Sequence, residues 1–81
     1  MKLVTETPKA EASIKRLGLW RQYLKQKKNF IEHPELKSLD ICFWDKKNRI
    51  MSFKITSKYR VKYRKGRDGN YFVFEAGDFH K

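Results

Sequence analysis

The sequence predicts an α+β fold in which two helices cover one face of an antiparallel sheet. Two observations predict the class. Apolar residues recur at helical spacing as far as His33-Pro34 and at a period of two beyond it. The segments after Pro34 are joined by short, turn-rich connections, which suit antiparallel neighbours rather than crossovers. A third observation sets the scale: 81 residues, 40% hydrophobic, are enough for one small core. The expectation is a single domain over residues 1–81, in the order β-α-α-β-β-β(-β).

Lys2 to Glu6 alternate polar and apolar and read as a short strand. Thr7-Pro8 reads as a helix start, because Thr7 can accept from an orphan backbone N–H and proline suits the first helical position. Ala10, Ile14 and Leu17 form the apolar stripe of this helix, and Gly18 breaks it. Trp20, Tyr23, Leu24 and Ile31 form a second stripe, as helical core or partner interface, with Arg21, Lys25 and Lys28 on the polar side. His33 closes the second helix: the residue before proline disfavours the helical region, and a cation there suits the helix dipole.

The strands follow. Leu39, Ile41 and Phe43 alternate with Asp40, Cys42 and Trp44; Asp45 to Asn48 is a turn; Met51, Phe53 and Ile55 alternate with Ser52 and Lys54. Thr56 to Lys58 is a tight connection. Tyr59, Val61 and Tyr63 then alternate with Arg60, Lys62 and Arg64, Gly66 to Asn70 is a second turn, and Tyr71 to Ala76 is the last strand. Together these make an antiparallel meander. If the helices cover the apolar face, Lys54, Arg60, Lys62 and Arg64 share the other, and Tyr63 belongs to the core.

The charge narrows the function. Twenty Lys and Arg against nine acids give a formal +11. Such an excess repels itself and is explained by a polyanionic partner: nucleic acid, an anionic membrane or an acidic protein. A row of like cations on one strand is more than solubility requires and reads as a phosphate-binding groove. The single cysteine, Cys42, excludes a disulfide framework, lacks a companion for a zinc site and reads as a core thiol. No apolar run reaches membrane-spanning length and no secretory signal is evident, so the expected location is the cytoplasm. No cofactor-binding or metal-ligand pattern is present.

Several segments together resemble the RelE/ParE superfamily of toxins from toxin-antitoxin systems. "MKLVTETPKAEASIKRL" is similar to that family's first strand and Pro-Ala helix start, and "FIEHPELK" to the end of its second helix. "MSFKITSKYRVKYRKGRDGNYFVFEAGDFHK" resembles its C-terminal strands and Gly-x-x-His-like ending, whereas Asp40 to Asn48 departs from it with a longer hairpin. The resemblance spans nearly the whole chain and rests on the order of short segments. It implies a RelE-like fold, a helical hairpin packed on a twisted antiparallel sheet, and a toxin whose cognate antitoxin is encoded beside it. Many members enter the ribosomal A site and cleave mRNA; the ParE branch poisons DNA gyrase. "SFKIT-x-x-YR" and the near-terminal histidine are most similar to the RelE- and YoeB-like ribonucleases.

On that resemblance Arg60, in "KYRVKY", stands at the position of the catalytic arginine, Lys54 is a charge stabiliser, and His80 matches the YoeB-like acid–base histidine. Glu35 in "PELK" is a second proton-transfer candidate, against its reading as a surface acid at a helix exit. The chemistry needs these types. Metal-free cleavage uses the substrate's own 2′-hydroxyl, so the protein supplies a base, an acid and cations for the phosphoryl oxygens. A guanidinium grips two such oxygens at once, and an imidazole exchanges protons near neutral pH. Lys37, Lys62, Arg64 and Lys81 are candidate RNA contacts, and Asp78 an acid able to orient His80. The YoeB-like pattern ends in an aromatic after histidine. This chain ends in Lys81, which leaves Phe79 to stack a base. The competing expectations are a ParE-like gyrase inhibitor, which needs no acid–base residues, and a non-enzymatic basic nucleic-acid-binding module.

Overall fold

The computed structural model describes residues 3–78. Strand β1 (Val4–Glu6) leads into helix α1 (Pro8–Arg16) and helix α2 (Trp20–Glu32), then a short 3-10 turn (Lys37–Leu39) and strands β2 (Cys42–Asp45), β3 (Ile50–Lys54), β4 (Arg60–Lys65) and β5 (Tyr71–Gly77). The sheet order is β1-β5-β4-β3-β2. Strands β2 to β5 form the expected antiparallel meander. β1 joins it at the far edge in parallel with β5, so the five-stranded sheet is mixed. The two helices between β1 and the meander carry the chain across the sheet, which is what a parallel edge strand requires.

The helix boundaries follow the local chemistry. Thr7 Oγ1 accepts from the Ala10 amide at 3.2 Å, with Pro8 at the start of α1. Gly18 adopts φ +72°, the left-handed region that favours glycine, and separates the helices. His33 caps α2, its N–H donating to the Asn29 carbonyl. Both helices are too short for a membrane span, and among the described residues no helix is long and apolar enough to cross one.

The core differs from the expected stripes in three places. Ala10 and Ile14 are buried, but Leu17 is 37% exposed because it caps α1 and turns off its inner face. On α2 Tyr23 is buried, whereas Leu24 is 43% exposed, and the buried face runs through Tyr23, Gln26 and Phe30. Phe30 is the hub, with ring centroids 5.2 Å from Phe53, 4.9 Å from Tyr63 and 5.2 Å from Tyr71. Leu39 is fully buried but sits in the 3-10 turn, not in a strand, so β2 begins only at Cys42.

Gln26 explains why a polar residue lies on an apolar helix face. Its Nε2 donates to the carbonyls of Ser38 (3.0 Å) and Lys54 (2.8 Å), and its Oε1 accepts from Asn29 (3.0 Å). One amide thus ties α2 to both the turn before β2 and the end of β3, and satisfies carbonyls that burial would otherwise penalise. Glu6 plays a similar part at the other side. Its Oε2 accepts from the Tyr23 hydroxyl and the Lys27 ammonium, both at 2.8 Å, locking α2 to β1.

Candidate nucleic-acid interface

Register builds the uncovered face of the sheet. Residues paired across strands point to the same side. Lys54 lies opposite Arg60, Ser52 opposite Lys62, and Cys42 opposite Ser52. On the other side of β4, Lys62 faces Glu75 and Arg64 faces Phe72. Lys54, Arg60, Lys62 and Arg64 therefore share the face away from the helices, as period-two alternation requires, while Val61 and Tyr63 fill the core. Burial, then Tyr71 and Cys42, push the phenol of Tyr63 well above its ordinary value, so it remains a neutral core hydroxyl.

Two irregularities shape this face. β5 carries one extra residue between the partners of Lys62 and Tyr63, and β2 carries one between the partners of Met51 and Ile50. Such bulges increase local twist and re-aim side chains. At the second bulge Trp44 meets the Lys62 ammonium, which lies 4.4 Å from its ring centroid.

The row of cations is not of one sign. Arg60 is paired with the Asp40 carboxylate, and its Nη1 also donates to the Asp40 carbonyl (3.0 Å) and the Ser52 hydroxyl (3.2 Å) and lies 3.6 Å from the Cys42 sulfur. Lys62 is paired with Glu75 at 2.9 Å. These acids relieve the repulsion that a bare row would carry. They came from parts of the sequence not read as the site: Asp40 precedes β2 in the left-handed conformation (φ 44°), and Glu75 lies on β5. Cys42 is corrected from core thiol to a half-buried group on the open face, between Ser52 and Arg60.

Arg60 is held by Asp40, Ser52 and Cys42 together. Its side chain is 13% exposed, gripped from three directions, with a planar fork fixed against the sheet. Such a group can coordinate a phosphate by exchanging Asp40 for an anionic oxygen, since the Asp40 carboxylate is 58% exposed. Lys54 stands beside it in register, and Lys62 and Arg64 continue along β4.

The remaining expected residues are more scattered. Glu35 lies on the exposed connection after α2, where its carboxylate is 72% exposed and 3.6 Å from His33 Nδ1. Among the described residues it makes no hydrogen bond or ion pair to the strand cations. Lys37 is exposed on the 3-10 turn of the same connection. Asp78 is exposed at the end of the described chain, and Phe79, His80 and Lys81 lie outside the described residues. Trp44 was missed as a candidate. Its alternation with Phe43 put it on the side of Asp40 and Cys42, which was the available signal.

No protein-family model matches the chain, and no curated protein matches it in sequence. Among solved structures it is similar to a YoeB/ParE toxin from Agrobacterium tumefaciens, with a TM-score of 0.70, 17% identity and full coverage of both chains. At that identity the likeness establishes the fold, which is the helical hairpin on a mixed sheet described above.

Proposed function

We propose that this chain, which has the fold of the RelE/ParE toxins, is the toxin of a toxin-antitoxin pair and acts as a ribosome-dependent mRNA endonuclease. The observation that carries the reading is the fixed Arg60 fork on the uncovered face, in register with Lys54 and in line with Lys62 and Arg64. In this reading the mRNA 2′-oxygen attacks the adjacent phosphorus, forming the P–O2′ bond and breaking the P–O5′ bond. A base takes the 2′-hydroxyl proton and an acid protonates the departing O5′, leaving a cyclic phosphate and a free 5′-hydroxyl. Arg60 and Lys54 bind the phosphoryl oxygens as charge gathers on them. His80 is the proposed acid–base group, with Glu35 the alternative base; Lys37, Lys62, Arg64, Phe79 and Lys81 hold the strand. The net charge of +11 fits an acidic antitoxin that covers the basic surface and loosens in high salt.

Cell-free translation with the purified protein tests this, with primer extension along the message. Cleavage at A-site codons supports it. Unimpaired translation together with inhibited DNA supercoiling moves the assignment to gyrase, the target of the ParE branch.

A further inference from the structure

A second cationic site lies around the corner from the Arg60 face. The turn after β2 and the turn after β4 flank a cleft of about 770 Å3 at one end of the sheet. That is within the usual size of ligand sites, ~300–1,000 Å3. Five cations line it, Lys46, Arg49, Arg64, Lys65 and Arg67, and no acid does. None of the five has an ion-pair partner among the described residues, in contrast to Arg60 and Lys62. The acids of the two turns are occupied within them: Asp45 accepts from Asn48, which lowers its pKa, and Asp68 accepts from Asn70. The cleft also has an aromatic floor. Phe43 is 42% exposed, with the Lys46 ammonium 5.9 Å from its ring centroid, and Met51 and Tyr71 lie beside it.

Unpaired cations around an exposed ring make the two-part surface that single strands use: charge for the phosphates, a flat apolar face for a base. An acidic peptide would match the charge, but its carboxylate side chains offer no aromatic ring to stack on Phe43. Arg64 links the two sites, since it ends the β4 row of Arg60, Lys62 and Arg64 and also lines the cleft.

We propose that this cleft is a separate binding site for single-stranded RNA, in which Phe43 stacks a base and Lys46, Arg49, Lys65 and Arg67 contact the phosphates. RNA rather than DNA as the occupant rests on the ribonuclease reading above. Through Arg64, a strand crossing the open face continues into the cleft, so the cleft holds nucleotides beyond those at Arg60.

The test is fluorescence anisotropy of a labelled oligouridylate with the isolated protein, where binding is read whether or not Arg60 cleaves anything. Phe43→Ala, which leaves the charge unchanged, weakens binding at least about fivefold, the lower end of a lost stacking contact. Lys65→Glu with Arg67→Glu weakens it more and flattens the salt dependence, because each phosphate contact on a single strand contributes about 0.7 to the log–log slope. The control is Arg21→Glu with Lys28→Glu, exposed cations on α2 that carry the same change of charge. Equal losses in the cleft and control variants would show that only net charge matters and would overturn the site. Phe43→Ala that spares oligouridylate but weakens polyglutamate would also overturn it, in favour of an acidic peptide. Melting temperatures check that each variant is folded.

Discussion

Arg60 and Asp40 form an ion pair that closes over the open face of the sheet, twenty residues apart in sequence, with Asp40 reaching in from the chain just before β2. Asp40 occupies the place that an anionic ligand of Arg60 would take. The pair is half open to water on the acid's side, so its strength falls in the ~0.2–1 kcal/mol of exposed pairs.

Asp40→Asn therefore raises the affinity of the open face for phosphate. Asparagine also tolerates the left-handed backbone at this position, so the substitution leaves the fold intact. Binding to programmed ribosomes tightens by a few-fold, the equivalent of the lost pair. Unchanged or weaker binding would show that Asp40 orients Arg60 rather than competing for it.

Gln26→Leu lowers stability by about 1–3 kcal/mol, because the carbonyls of Ser38 and Lys54 lose a shared donor. The same change loosens the segment that carries Asp40. Denaturant unfolding measures the first effect, and faster hydrogen exchange between Ser38 and Cys42 measures the second. Full stability of the variant would mean that water replaces the amide at no cost.

Alkaline pH destabilises the fold through two tyrosines. Burial raises Tyr23 far above its ordinary value, with further contributions from the hydrogen bond and charge of Glu6, and burial likewise raises Tyr63. A group whose folded pKa is raised contributes stability below its unfolded value, about 10, and loses it as pH rises beyond. Stability is expected to fall above pH ~10. Tyr23 and Tyr63 should ionise only on unfolding, so their tyrosinate absorbance should develop together with the unfolding transition. Smooth titration of Tyr23 and Tyr63 in the folded protein would contradict the burial assigned to them.

Much of the fold was legible because local signals and burial agree. Thr7-Pro8, Gly18 and His33-Pro34 mark the ends of the two α-helices, and the two turns with the Thr56 to Lys58 connection mark the three hairpins of the meander. Alternation placed Arg60, Lys62 and Arg64 on one side because period two survives any sheet order. The choice of Leu24 over Phe30 failed because both lie near one helical stripe, and only the Phe53–Tyr63–Tyr71 cluster of the sheet decides between them. The parallel pairing of β1 is a tertiary fact, set by where two helices return the chain. The counter-charges Asp40 and Glu75 were invisible for a similar reason: each meets its cation only across strand register or a loop. Cys42 was misplaced because an apolar neighbourhood in sequence includes both faces of a strand.

The most direct test of the Arg60 assignment is primer extension on mRNA from cell-free translation, comparing the wild-type protein with Arg60→Lys. Lysine keeps the charge and removes the fork that bridges two phosphoryl oxygens. The account predicts A-site cleavage by the wild type and a loss of about a hundredfold or more in the variant, the cost typical of removing one donor to a developing oxyanion. Equal cleavage by the two proteins would contradict the role given to Arg60 and leave the open face as a site of charge alone.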